Sequence, residues 1–234
     1  MSTYKRVLLK LSGEALAGDR HMGFDEATCM EVAKQIKKLS DEGIEIAIVI
    51  GGGNFWRGRS SKTIDRTKAD SIGMLATVMN CIYMSEICRC CGMKTEIFTP
   101  FACGDVSELF SKDRAVGAMK NGSVIFLAGG TGHPYFSTDT ATALRAVQLD
   151  CDAIVMARAV DGVYDSDPKT NPNAKKYTTV TYQELLDRKL KVLDLTATVM
   201  CMENNIPTLV FSLNEENSIV TNVSGTNTGT VVTV

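Results

Sequence analysis

The stretch Ile44-Glu45-Ile46-Ala47-Ile48-Val49-Ile50-Gly51-Gly52-Gly53-Asn54 decides the fold. Residues 44–50 form an apolar run that reads as a buried strand, and the run ends abruptly in three glycines. Glycine has no Cβ, so the backbone there can approach a ligand closely and adopt positive φ. In an α/β protein, ligands bind at the carboxyl ends of strands. Arg57 follows shortly after, and a guanidinium can fork onto phosphate oxygens. The plain alternative is a tight strand–loop turn. Three consecutive glycines with an arginine favour a phosphate-binding loop.

Outward from this stretch, strands and helices alternate. Residues 7–11, 95–98, 123–128, 153–157, 208–211 and 229–234 read as further strands. Asp25 caps a helix whose apolar positions Cys29, Val32, Ile36 and Leu39 recur at helical spacing, and Gly43 stops it. Asp70 opens a long helix through about Arg89 that is apolar on nearly every face, so it is expected to be buried on all sides, partly against another subunit. Ser111 caps a helix to Lys120. Thr138 or Asp139 caps one to about Leu149, and Asp194 precedes one to Asn204 or Asn205. Thr181-Tyr182-Gln183-Glu184 has capping-box spacing. Residues 165–179 are polar and rich in breakers. Repeated alternation with apolar strands predicts an α/β fold with a mainly parallel sheet covered on both faces, in one domain spanning residues 1–234.

The totals exclude several classes. A net charge of −2 gives no electrostatic footprint for nucleic acid. The eight cysteines lie mostly in apolar stretches and lack the paired clusters of a zinc site, so they read as reduced core thiols. His21 and His133 are too few and too scattered for a metal centre. Lys5-Arg6 precede Val7-Leu8-Leu9, but Lys10 and Glu14 interrupt the apolar run, which is not a signal peptide. No stretch is read as approaching the length of a membrane span, and a cytoplasmic protein without membrane partners is expected.

A second glycine-bearing loop, Gly129-Gly130-Thr131-Gly132-His133-Pro134, follows the strand at 123–128. Two such loops suggest two anionic sites facing each other, the layout of phosphoryl transfer between a donor nucleotide and an acceptor. Lys10, at the end of the first strand, can supply a cation. Leu11-Ser12-Gly13-Glu14 after it form a turn whose N–H groups can face phosphates. The P-loop pattern, the protein-kinase motifs and the dinucleotide fingerprint are all absent.

The motifs Lys10-Leu11-Ser12-Gly13-Glu14-Ala15-Leu16, Gly51-Gly52-Gly53-Asn54, Asp70-Ser71-Ile72-Gly73-Met74-Leu75-Ala76-Thr77-Val78-Met79-Asn80 and Gly130-Thr131-Gly132-His133-Pro134 occur in that order. Val160-Asp161-Gly162-Val163-Tyr164 with Asp167-Pro168, then Lys191-Val192-Leu193-Asp194-Leu195, continue the series. Over essentially the whole chain this resembles the bacterial uridylate kinases (UMP kinases), which have the amino acid kinase fold, an αβα sandwich.

The resemblance implies Mg2+-dependent transfer from ATP to UMP in pyrimidine nucleotide synthesis, with magnesium held through the nucleotide phosphates. It implies catalytic roles for Lys10, Arg57, Asp139 and Asp194. It implies ATP contacts from Lys10, Leu11, Ser12, Gly13, Gly53, Arg57, Arg158, Tyr164 and Asp167. For UMP it implies Gly52, Asp70 (toward the ribose hydroxyls), Thr131, Gly132, His133, Pro134, Tyr135, Phe136, Ser137 and Thr138. It also implies a homo-oligomer, a hexamer, with GTP as activator, UTP as inhibitor and a loop at 18–23 near the effector site. Two positions depart from the family pattern: Met156 stands where a donor-site lysine is common, with Arg158 nearby, and His133 stands where asparagine is common. Two other readings remain open at this point. One is a non-catalytic nucleotide-binding protein on the same fold, favoured by Met156. The other is a kinase of a carboxylate or carbamate acceptor, disfavoured by Asp70, Thr131 and Thr138.

Overall fold

A computed structural model describes residues 4–20, 22–56, 63–158, 160–168, 170–190, 192–213, 215–226 and 228–234. In chain order it contains β1 (Arg6–Leu11), α1 (Gly13–Leu16), α2 (Glu26–Asp41), β2 (Glu45–Ile50), α3 (Arg66–Cys90), β3 (Lys94–Thr99) and β4 (Glu108–Leu109). Then follow α4 (Lys112–Lys120), β5 (Ser123–Leu127), α5 (Thr138–Gln148), β6 (Ala153–Arg158), β7 (Thr179–Thr181), α6 (Tyr182–Asp187), α7 (Leu195–Glu203), β8 (Thr208–Ser212), α8 (Ser218–Val223) and β9 (Thr230–Thr233). The strands form one nine-stranded sheet in the order β4-β3-β5-β2-β1-β6-β8-β9-β7. Every pairing is parallel except β8 with β9.

Side chains alternate across a strand, so β1 and β2 feed two separate cores. Val7, Leu9 and Leu11 join Ile46, Ile48 and Ile50 under α2, α3 and α8. Leu8 joins Ala47 and Val49 under α4, α5, α6 and α7. The result is the three-layer αβα sandwich expected from the alternation. Lys10 shares the face of Leu8, and its register partner on β6 is Met156. That places Lys10 and the start of α5 on one side of the sheet, at its carboxyl edge.

Several boundaries differ from the sequence reading. The long helix starts at Arg66, capped by Asp65, whose carboxylate accepts from the Thr67 and Lys68 N–H groups. Its first turn is polar and invisible to apolar periodicity, so Asp70 lies inside the helix instead of capping it. The α5 cap is Ser137, not Thr138 or Asp139: its Oγ accepts from the Asp139 and Thr140 N–H groups. The Asp139 carboxylate is thereby left for another partner. Within one chain, α3 is buried on one side only. Ile72, Leu75, Met79 and Ile82 form an exposed apolar stripe, while Val78, Cys81, Met84 and Cys88 pack on the sheet. It is also long and apolar enough to cross a membrane, contrary to expectation, though here it covers the sheet. Strand β9 falls within the 229–234 run read as a strand, whereas β7 and helix α8 gave no clear signal because each is short.

Of the eight cysteines read as core thiols, Cys29, Cys81, Cys88, Cys151 and Cys201 are buried, while Cys91 and Cys103 are half-buried and Cys90 is exposed. Burial pushes the thiols of Cys29, Cys81, Cys88 and Cys151 up to about 12 and that of Cys201 to about 11.

Candidate active site

At the carboxyl edge of the sheet, β1 and β2 turn out into glycine loops that are locked to each other. The Gly51 N–H donates to the Leu11 carbonyl (3.0 Å). Asn80 of α3 donates to the Gly51 carbonyl (2.7 Å) and exchanges reciprocal amide bonds with Asn54 (2.8 and 3.0 Å). These asparagines are buried, so the pair holds the triple-glycine loop rigidly against α3. Gly13 lies so close to this loop that an added Cβ would sit 2.3 Å from the Gly51 carbonyl oxygen. Only glycine permits that approach.

The second loop is anchored to the same helix. The Gly129 N–H donates to Thr77 Oγ1 (2.8 Å), in a left-handed conformation (φ 78°) that glycine adopts without strain. Farther along, the Tyr135 N–H donates to Asp70 Oδ2 (2.8 Å), and the same oxygen accepts from Arg66 Nε (2.8 Å).

These loops enclose a cavity of about 310 Å3, bordered by Lys10, Gly52, Asp70, Thr131, His133 and Thr138 among others. A larger cavity of about 630 Å3 lies beside β6 and is bordered by Arg158, Tyr164, Asp167 and Arg188. Between them runs a chain of charges. Lys10 Nζ lies 3.1 Å from Asp139 Oδ1, and Arg158 lies 4.0 Å from Asp139 Oδ2. The Lys10 and Asp139 side chains are only 11% and 17% exposed, so their attraction is weakly screened. One carboxylate thus holds two cations where the cavities approach each other.

Asp194 caps α7, accepting from the Ala197 N–H (2.8 Å). It also accepts from the hydroxyls of Thr140 (2.9 Å) and Ser137. It therefore ties the first turns of α5 and α7 together and fixes the turn that carries Asp139.

On the larger cavity, the Tyr164 hydroxyl and the Lys176 ammonium both donate to Asp161 (2.8 Å each). The Lys176 hydrogen bond, followed by that from Tyr164, holds the Asp161 carboxyl below its ordinary value. The same contact raises the Tyr164 hydroxyl. Asp167 closes a turn, its carbonyl accepting from the Asn171 N–H (2.9 Å).

Most residues singled out in the sequence converge here. Lys10, Gly52, Asp70, Thr131, His133, Phe136, Ser137 and Thr138 border the smaller cavity. Ser12, Gly13 and Gly53, expected on the donor side, border that same smaller cavity. Arg158, Tyr164 and Asp167 border the larger one. The Leu11 side chain is in the core. Gly132 packs on Pro100, and Pro134 leads into Tyr135. Met156 is fully buried in the core beneath α5, so it occupies neither cavity. Arg57, His21 and Lys191 lie outside the described residues. The sequence reading missed Trp56, Arg66 and Thr77 on the smaller cavity and Arg188 on the larger. Only Arg66 carried a legible signal, standing four residues before Asp70 on one helix face.

An αβα sandwich on a mainly parallel sheet, with two glycine loops and a lysine at its carboxyl edge, defines a phosphotransferase scaffold, and the chain belongs to the amino acid kinase family, whose family model matches residues 5–212. Its relatives within that family include uridylate kinases. The uridylate kinase of Bacteroides thetaiotaomicron is 44% identical over 234 residues, 99% of each chain. The UMP kinase of Bacillus anthracis superposes with a TM-score of 0.95 at 35% identity, covering 98% of this chain and 96% of that one. The UMP kinase of Ureaplasma parvum gives 0.94 at 36% identity, covering 98% and 99%.

Proposed function

We propose that the protein is a nucleoside monophosphate kinase that transfers the γ-phosphoryl group of ATP to UMP, yielding ADP and UDP. The observation that carries this reading is the Lys10–Asp139–Arg158 chain between the two cavities. Relatives named uridylate kinase, matched over their full length, supply the substrate.

The chemistry follows from charge. A UMP phosphate oxygen attacks the γ-phosphorus in line, and charge accumulates on the transferring group. No protein nucleophile is needed. UMP occupies the smaller cavity, with Asp70 facing its ribose and residues 131–138 around it. ATP occupies the larger cavity, with Tyr164 and Asp167 toward adenosine. Lys10, held in place by Asp139, stabilises the migrating group, and Arg158 supplies the donor-side cation in this chain. Arg57 adds a phosphate contact. Ser12, Gly13 and Gly53 present backbone where the phosphates meet. Asp194 positions the α5 turn. A preorganised cation of this kind contributes about 10²–10³ in rate.

Among the described residues, no cluster of three or more His, Cys, Asp or Glu side chains could hold a metal ion. Magnesium would arrive with the nucleotide, take its ligands from phosphate oxygens and water, and neutralise phosphate charge. The apolar stripe on α3 supports assembly into a homo-oligomer, a hexamer by family resemblance, with GTP and UTP as effectors. A cytoplasmic location and a single domain over residues 1–234 complete the reading. One continuous sheet carrying both cavities supports the latter.

The two other readings are not favoured. Met156, the basis for a non-catalytic protein, is a core residue. A coupled assay with UMP, CMP, acetylglutamate and carbamate as acceptors tests the function directly. ADP release with UMP is expected. None at any magnesium concentration would overturn the reading.

A further inference from the structure

Arg66 is placed where helix electrostatics oppose it. As the first residue of α3 it puts a cation at the positive end of the helix dipole. The Arg66–Asp70 pair also runs in the less favourable direction for an i,i+4 ion pair. Helix stability therefore does not account for it.

Its geometry does. Arg66 Nε and the Tyr135 N–H converge on the same atom, Asp70 Oδ2, at 2.8 Å each. Among the described residues Oδ1 accepts no hydrogen bond, and Asp70 borders the smaller cavity. The carboxylate is thus divided: one oxygen is fixed by the protein and the other is available to a ligand. Arg66 Cζ also lies 5.3 Å from the centroid of the Tyr135 ring, within cation–π range. Tyr135 is held at φ 73°, a conformation uncommon for a bulky residue. One guanidinium therefore secures both the Asp70 carboxylate and the loop that crosses the cavity.

We propose that Arg66 is a positioning residue for the acceptor sugar: by pinning Asp70 Oδ2 and Tyr135, it aims Oδ1 at the ribose hydroxyls and sets the preference for a ribonucleotide over a 2′-deoxyribonucleotide acceptor. This rests on the UMP kinase reading, and it adds a residue and a specificity to it. A hydrogen-bonding site rejects an analogue lacking the hydroxyl because its own polar group is then left unpaired. That rejection requires the polar group to be fixed in place.

The test compares Arg66→Met, Arg66→Lys and Asp70→Asn with UMP and 2′-deoxy-UMP. Arg66→Met is expected to raise KM for UMP about tenfold, to leave kcat within about twofold, and to cut the ribose preference about tenfold. In an Asp70→Asn background the same substitution adds little, because both act through one carboxylate. Arg66→Lys keeps the charge without the fork and recovers only part of the preference. Calorimetric binding of the two nucleotides reads the preference without turnover. A wild-type protein that binds UMP but forms no UDP would count against the kinase reading and leave this test intact. An unchanged preference in folded Arg66→Met, or in Arg66→Lys should the first not fold, overturns the role. So does full additivity with Asp70→Asn.

Discussion

Lys10 Nζ and Asp139 Oδ1 lie 3.1 Å apart across the gap between the end of β1 and the first turn of α5. Neither element alone defines that position. The lysine is fixed by the central strand of the sheet, and the aspartate by a helix whose cap, Ser137, is itself bonded to Asp194. The pair is therefore the point where sheet, helix and both cavities meet.

Removing the ammonium should slow the chemistry more than it disturbs the fold. Lys10→Ala is expected to lower kcat by about 10²–10³. Asp139 retains Arg158 as a partner, so the far-ultraviolet circular dichroism should be unchanged. Arg158→Ala should instead act mainly through KM for ATP, leaving KM for UMP unaltered. Steady-state kinetics with each substrate varied separately checks both, and equal effects on the two KM values would contradict the assignment of Arg158 to the donor cavity.

Asp194 separates a structural from an electrostatic contribution. Asparagine is also a good cap, whereas alanine loses about 1 kcal/mol or more. Asp194→Ala should melt measurably lower, and Asp194→Asn should stay near wild type. If the carboxylate charge matters only by holding α5 and α7 together, Asp194→Asn retains most of the turnover. Calorimetry and the coupled assay on the same samples decide it.

Gly13→Ala places a methyl 2.3 Å from the Gly51 carbonyl oxygen and 2.4 Å from Asn54 Oδ1, in a locked contact between two loops. Overpacking of this kind costs about 1–3 kcal/mol. A melting point several degrees lower is expected, with UMP turnover falling further because Gly13 borders the cavity. A melting curve superimposable on wild type would show that the loops part easily.

The donor-side loop should respond to acid. Asp161 is held below its ordinary value, chiefly by Lys176 and then by Tyr164. Its stabilisation is complete above about pH 4 and is lost as pH falls through the depressed value. Lys176 is raised, chiefly by Asp161, so its share is complete below about pH 10.4 and is lost as pH rises through the raised value. The melting-point gap between wild type and Asp161→Asn should hold steady across neutral pH and close in acid. A gap that does not begin to narrow as pH falls below about 4 contradicts this linkage.

Much of the site was readable because its signals are local. Three glycines ending an apolar strand mark a loop that approaches a ligand, and the capping box at Thr181 is a four-residue pattern that the structure reproduces, with the Glu184 N–H bonded to Thr181 Oγ1. Asp25 capped α2 as expected. The misplaced starts of α3 and α5 have one cause: Asp65, Asp70, Ser137, Thr138 and Asp139 can all cap, and composition does not choose among them. The choice follows from where each carboxylate is needed. Asp70 accepts from Arg66 and Tyr135, and Asp139 pairs with Lys10, so the caps fall to Asp65 and Ser137. The all-round apolarity of α3 exceeds what one chain buries. One chain covers only one side of that helix and leaves Ile72, Leu75, Met79 and Ile82 exposed.

The sequence by itself determined the alternation of strand and helix, the two glycine loops and the cation at the first strand end, because periodicity, backbone freedom and charge are written residue by residue. Tertiary structure alone decided that Lys10, Asp139 and Arg158 form one chain between two cavities, that Met156 lies in the core, and that Arg66 shares one oxygen of Asp70 with the Tyr135 amide. Such meetings depend on strand order and helix docking. Both are set by burying two apolar faces at once, a property of the whole sheet that no short segment encodes.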